Sequence, residues 1–214
     1  MKPTRQCDAA FKQSVLMRCY DALTAAGFAR FRKEGVDWPL EGDFHCWVGL
    51  NSALESEHVD VNPFVGVHVV PIEKLWTTLK IGKYPGKYNR AVATYARHMG
   101  ELTPDEPIFR FTLHTDVDAE AARLARVYSS AGLTYARSIA KYELLLPLLQ
   151  SRVAMRGAYP ERVASCLYLM GRKEEAEEFV RRFLAENRDY FEGFAVPFLK
   201  VLDHQEHRVS SATN

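Results

Sequence analysis

Seven histidines, at positions 45, 58, 68, 98, 114, 204 and 207, are the residues most able to do chemistry in this 214-residue chain. A metal site needs three or four ligands at a set spacing, and none is legible here. His204-Gln205-Glu206-His207 has a three-residue gap that could clamp a metal on a helix, but no third ligand accompanies it, and H-E-x-x-H does not occur. Asp116-x-Asp118 resembles a metal-binding carboxylate pair. It stands just before an alanine-rich helical stretch, where carboxylates cap backbone N–H groups, so capping is the expected role. Gly82-Lys83-Tyr84-Pro85-Gly86-Lys87-Tyr88 imitates a phosphate loop, yet its glycines are one residue too close and Tyr88 replaces the magnesium-binding hydroxyl. No G-x-S-x-G elbow occurs, and Ser129-Ser130 has no base nearby in sequence. No catalytic constellation, metal or cofactor is therefore expected.

Composition narrows the classes further. There are 28 Lys+Arg against 27 Asp+Glu, and 47% of residues are hydrophobic. That is a globular composition. The balanced charge argues against a nucleic-acid binder, which needs a basic excess on one face. Residues 1–116 hold 14 basic and 14 acidic side chains, residues 117–214 hold 14 and 13, and no charged linker divides them. No stretch approaches the roughly 18 apolar residues of a membrane span. Cys7, Cys19, Cys46 and Cys166 are too few and too scattered for a disulfide framework, so reduced thiols and a cytoplasmic location are expected.

The elements that must position any site follow from periodicity. Phe11, Val15, Leu16, Cys19, Tyr20 and Leu23 share one face of a helix from about Asp8 to Ala26, stopped by Gly27. A short strand is expected at Phe28–Lys33 and a turn at Asp37–Asp43. Alternation predicts strands at Phe44–Leu54 and Val59–Val70, then a short helix opened by Pro71. Lys80–Arg90 reads as a loop, Arg90–Met99 and Pro107–His114 as strands, and Ala119–Ala131 as a helix. A long helix is expected at Tyr135–Val153, kinked by Pro147. Helices follow at Pro160–Met170, Lys173–Arg188 and Tyr190–Leu202, with a frayed tail from His204. Phe179 and Phe183 lie in the apolar stripe of the second of these and are expected to be buried. Tyr168-Leu169-Met170-Gly171-Arg172-Lys173-Glu174-Glu175-Ala176 looks like one tetratricopeptide turn, but a solenoid needs about three copies.

The expected class is α+β. An N-terminal helix packs on a mainly antiparallel sheet of about four or five strands. An all-helical part with helical hairpins follows, the two parts meeting near residue 116 within one integrated domain. On the sheet, period-two counting sets His45, Trp47, Asn51, Asn62, Phe64, Arg110, Thr112 and His114 opposite the aliphatic face. Trp, Arg and Asn on a half-exposed sheet are residue types that make protein contacts. Trp47, His45, Asn51, Arg110 and His114 are thus the candidate partner-binding residues, with solvated or helix-covered side chains as the plain alternative.

Five short stretches carry a resemblance: Leu23-x-x-x-Gly27-Phe28-x-Arg30; Cys46-Trp47-Val48-Gly49-Leu50-Asn51; His98-Met99-Gly100-Glu101-Leu102-Thr103-Pro104; Gly132-Leu133-Thr134-Tyr135-Ala136-Arg137-Ser138; and Tyr168-Leu169-Met170-Gly171-Arg172. With them the chain resembles a group of bacterial α+β proteins that includes presumed immunity proteins of polymorphic toxin systems. The resemblance spans most of residues 8–190 and rests on turns and helix starts. It implies a cytoplasmic protein that binds and blocks a toxin, and it carries over no catalytic residue. Two other classes stay open. One is a small enzyme whose site assembles from His45, His68, Arg110 and His114. The other is a nucleic-acid-contacting accessory protein using Lys80–Arg90, whose lysines alternate with Tyr84 and Tyr88.

Overall fold

The computed structural model describes residues 6–79, 87–105 and 107–210, with side chains as far as Asp203. It is α+β, and its elements fall into two compact units. The first holds residues 1–68 and 95–140, the second residues 69–94 and 141–214. The division therefore does not follow residue 116: the helices just after it stay with the sheet.

In the first unit α1 (Ala9–Ala25) begins where the Asp8 carboxylate accepts the Phe11 N–H at 2.7 Å. Val15, Leu16, Cys19, Tyr20 and Leu23, at three- and four-residue spacing, are its buried face. The sheet is antiparallel and follows the order β1 (Ala29–Arg32), β2 (Gly35–Pro39), β3 (Phe44–Leu54), β4 (His58–Val69), β5 (Tyr95–His98). β6 (Phe109–Thr112) also pairs with β4. β5 runs along Phe64–Val67 and β6 along His58–Val61, so one long strand serves two short partners. Cys46, Val48, Val59, Val61, Val65, Val67, Phe109 and Phe111 form the aliphatic core face. Helices α1, α3 (Val117–Val127) and α4 (Leu133–Ser138) complete this unit. Asp116 caps α3 by accepting the Ala119 N–H at 3.0 Å, and Asp118 lies 3.5 Å from Arg18.

The second unit is helical: α2 (Val70–Leu79), α5 (Tyr142–Gln150), α6 (Tyr159–Leu169), α7 (Lys173–Glu186) and α8 (Arg188–Ser210). α5, α6, α7 and α8 pack as successive neighbours, and α2 packs on α6. Phe191, Phe194 and Phe198 of α8 are fully buried.

Several elements differ from the sequence reading. The stretch read as a turn at 37–43 begins as strand β2, because Asp37 is buried in the ladder and Pro39 falls at its end, where a missing N–H costs little. The helix expected over 135–153 is two helices. The break lies at 139–141, where Lys141 turns extended, while Pro147 sits inside α5 and forfeits only the bond to the Glu143 carbonyl. The strands expected at 90–99 and 107–114 shorten to β5 and β6. α8 runs on to Ser210 instead of fraying at His204. Phe179 and Phe183 are half-buried, not core. Of the Lys80–Arg90 loop, residues 80–86 lie outside the described residues.

All four cysteines are free and buried. Burial pushes the Cys19, Cys46 and Cys166 thiols from the ordinary 9.0 up to about 12. Iodoacetamide at pH 8 is therefore expected to leave these three unmodified in the native protein and to label them once denaturant is added. Mass spectrometry of the labelled peptides reads the result, and native labelling of Cys46 would contradict the packing around β3.

Candidate functional site

The second face of the sheet has two polar clusters, at opposite ends of β4. At the first, His45 and His68 meet edge to face, with ring centroids 6.3 Å apart. His68 is fully buried. The side chain of His45 keeps 20% exposure and lies 3.7 Å from the buried Asp37 carboxylate, beyond a hydrogen bond. Its Nδ1 is a buried polar atom without a hydrogen-bond partner among the described residues. Trp47 follows His45 on the same face, directly across from Asp37. Its indole folds over Gly49: a Cβ built there would come within 2.2 Å of the ring. Only glycine admits the indole in that position.

At the other cluster Arg110 and Asp60 are direct cross-strand partners. The guanidinium forks onto the carboxylate, with Nε and Nη2 donating at 2.8 and 2.9 Å. His58 Nε2 stands 3.4 Å from the same carboxylate. The hydrogen bond from Arg110 is the chief cause that holds Asp60 below its usual pKa; burial opposes it, and the charges of Arg110 and His58 assist. Asn51 and Arg110 are exposed, whereas Asn62, Phe64 and Thr112 are half-buried. Phe64 makes an edge contact with His98 at 5.1 Å.

Asp60 and His68 are eight positions apart on one strand, roughly 27 Å at the usual rise. His45, Trp47 and His68 thus form one group, and Arg110 belongs to another. His114 joins neither. It has left the strand for the turn before α3, exposed, with its N–H donating to Thr112 Oγ1 at 3.2 Å. The scattered set of His45, His68, Arg110 and His114 does not converge on one reacting centre. No three His, Cys, Asp or Glu side chains among the described residues are grouped to hold a metal.

Sequence reasoning missed a polar centre in the second unit. Glu73 of α2 is 2% exposed. It accepts Arg162 Nε at 2.8 Å and Nη2 at 3.1 Å, the Thr94 hydroxyl at 2.8 Å and the Trp76 indole N–H at 2.8 Å. Thr94 Oγ1 in turn accepts the Val69 N–H at 2.8 Å. The Arg162 guanidinium also lies 5.8 Å from the ring centroids of both Trp76 and Tyr159. Every lone pair that matters is answered, so this is architecture, not a reagent. Just before α6 the backbone takes three positive φ angles in a row, at Arg156 (59°), Gly157 (52°) and Ala158 (67°). Such angles cost a side-chain-bearing residue about 1–3 kcal/mol. The turn is held by the Tyr190 hydroxyl, which accepts the Ala158 N–H at 3.1 Å, and the Arg156 guanidinium lies over the Tyr190 ring at 5.5 Å. The only sequence signal was a pair of charges, Glu161-Arg162, opening an otherwise apolar run.

Compared with known protein families, curated proteins and solved structures, the chain has no match. No helix among the described residues is long and apolar enough to cross a membrane.

Proposed function

We propose that this chain is a non-catalytic cytoplasmic protein that works by binding another protein, in the manner of an immunity protein neutralising a bacterial toxin. The observation that carries the reading is the second face of the sheet. It presents Asn51 and Arg110 to solvent, with the half-buried Trp47 and His45 toward the other end of the same face, so an aromatic surface and a separate planar fork share one side of the sheet. Asp60 engages two N–H groups of Arg110, which leaves three of the five donors of the guanidinium for a partner. A balanced overall charge suits affinity from shape and a few anchors more than from long-range steering.

The test is Trp47→Ala combined with Arg110→Ala, titrated calorimetrically against the product of the neighbouring gene. Binding is expected to weaken by at least roughly 2 kcal/mol. The thermal midpoint should confirm that the double variant is folded, and full binding by that folded protein would remove the sheet face from consideration.

A further inference from the structure

In the second unit an apolar groove carries two arginines in its lining. Phe179 and Phe183 stack along α7 with centroids 5.9 Å apart and planes 13° from parallel. Both are half-buried, while Ala176 and Val180 of the same helix are fully buried. Phe183 meets the buried Phe191 edge-on at 4.9 Å, so the pair is rooted in the core. Its open side lines a groove of about 530 Å³, with Val153 and Ala154 on the opposite wall. Next to that wall Met155 is 62% exposed.

Two arginines, Arg156 and Arg182, also line this groove. Arg156 rests on the Tyr190 ring, and no carboxylate among the described residues lies within ion-pair distance of it. Arg182 reaches Glu178 only at 3.9 Å, with both side chains largely in solvent. Against these stands one acid in the lining, Glu186. The arginines lining the groove between α7 and α8 are different: Arg181 and Arg188 are tied to Glu177 and Glu192 at 2.7 and 2.9 Å. Positive charge without a close carboxylate is thus gathered at the phenylalanine groove, and the strained turn carries one of its two sources.

We propose that this groove docks an acidic amphipathic segment of a partner protein. Its apolar side chain lies on the Phe179–Phe183 stack, and its carboxylates accept from Arg156 and Arg182. The site is separate from the sheet face, and neither reading depends on the other.

The experiment uses the full chain and a fluorescein-labelled helical peptide bearing Leu and Phe at i, i+4 spacing and Glu elsewhere, followed by anisotropy. A control peptide carries Lys in place of Glu. Saturable binding of the acidic peptide is expected, weakened at least tenfold by Arg156→Ala with Arg182→Ala and weakened further as salt rises. These two side chains are exposed, so the variant keeps its fold. No binding, equal binding of the lysine control, or an unchanged affinity in the arginine variant would overturn the proposal. So would chain capture by phosphatidylserine vesicles without peptide binding, which would make the groove a lipid-facing surface.

Discussion

Replacing Arg162 by methionine is expected to cost about 3–5 kcal/mol of stability, read from the midpoint of a denaturant titration. The substitution keeps most of the side-chain volume and removes the charge. Glu73, 2% exposed, is then left as a buried carboxylate without its counter-ion. A second substitution separates this cause from lost packing. Glu73→Gln added to Arg162→Met removes the orphaned charge, and the new amide fits the site. Its carbonyl can accept the Trp76 indole N–H, and its NH2 can donate to Thr94 Oγ1, which has a lone pair left after accepting the Val69 N–H. The double variant should therefore be more stable than Arg162→Met alone. If it is not, the arginine acts through its contacts with Trp76 and Tyr159 and not through charge.

Tyr128→Ala is expected to cost about 3–5 kcal/mol in the first unit. Tyr128 is fully buried in the π-helical turn Tyr128–Gly132 that links α3 to α4. It packs edge-on against Phe28 at 6.3 Å. Its hydroxyl lies 2.9 Å from both the Gly49 and the Phe64 carbonyl oxygens and shares its proton between strands β3 and β4. Burial is the main cause holding this phenol in its neutral, donating form, well above the ordinary 10.0. Tyr128→Phe isolates the polar part and should cost about 1–3 kcal/mol. A phenylalanine variant as stable as the parent would mean the two carbonyls are satisfied within the sheet and the ring alone matters.

The elements that were legible share one property: their pattern is local. α1 is signalled by an apolar stripe, and β3 by the alternation Phe44, Cys46, Val48 against His45, Trp47, Gly49, so the strand spans Phe44–Leu54 as expected. β2 was hidden because Asp37 and Pro39 are turn formers by type. What makes Asp37 a strand residue is its place between neighbouring strands, which no window of sequence contains. The break at 139–141 has no glycine or proline to announce it, and Pro147, which looks like a breaker, falls where a helix tolerates it. The site divides along the same line. Period-two counting places Trp47 and His45 on one face. Only the strand order reveals that His45 meets His68 and that Arg110 is spoken for by Asp60. Glu73 and Arg162 are 89 residues apart, and neither stands out on its own. The Phe179–Phe183 stripe was visible, but helical spacing alone does not say how much of a stripe its neighbours will cover.

The interleaving of the two units sets how the molecule can be taken apart. The segment 69–94 leaves the first unit and returns to it, and the 2.8 Å bond from the Val69 N–H to Thr94 Oγ1 holds its two ends together. Ends that close need little chain to join them. A truncation after residue 140 would not isolate the sheet. It would keep α2 and strand Glu73 without the arginine on α6 that neutralises it. Excising 69–94 and bridging the gap with a short flexible link is the dissection that the topology permits. The second unit, by contrast, has no contiguous gene fragment. Its two pieces would have to be supplied as separate chains, or rejoined by a new connection between Thr94 and Lys141.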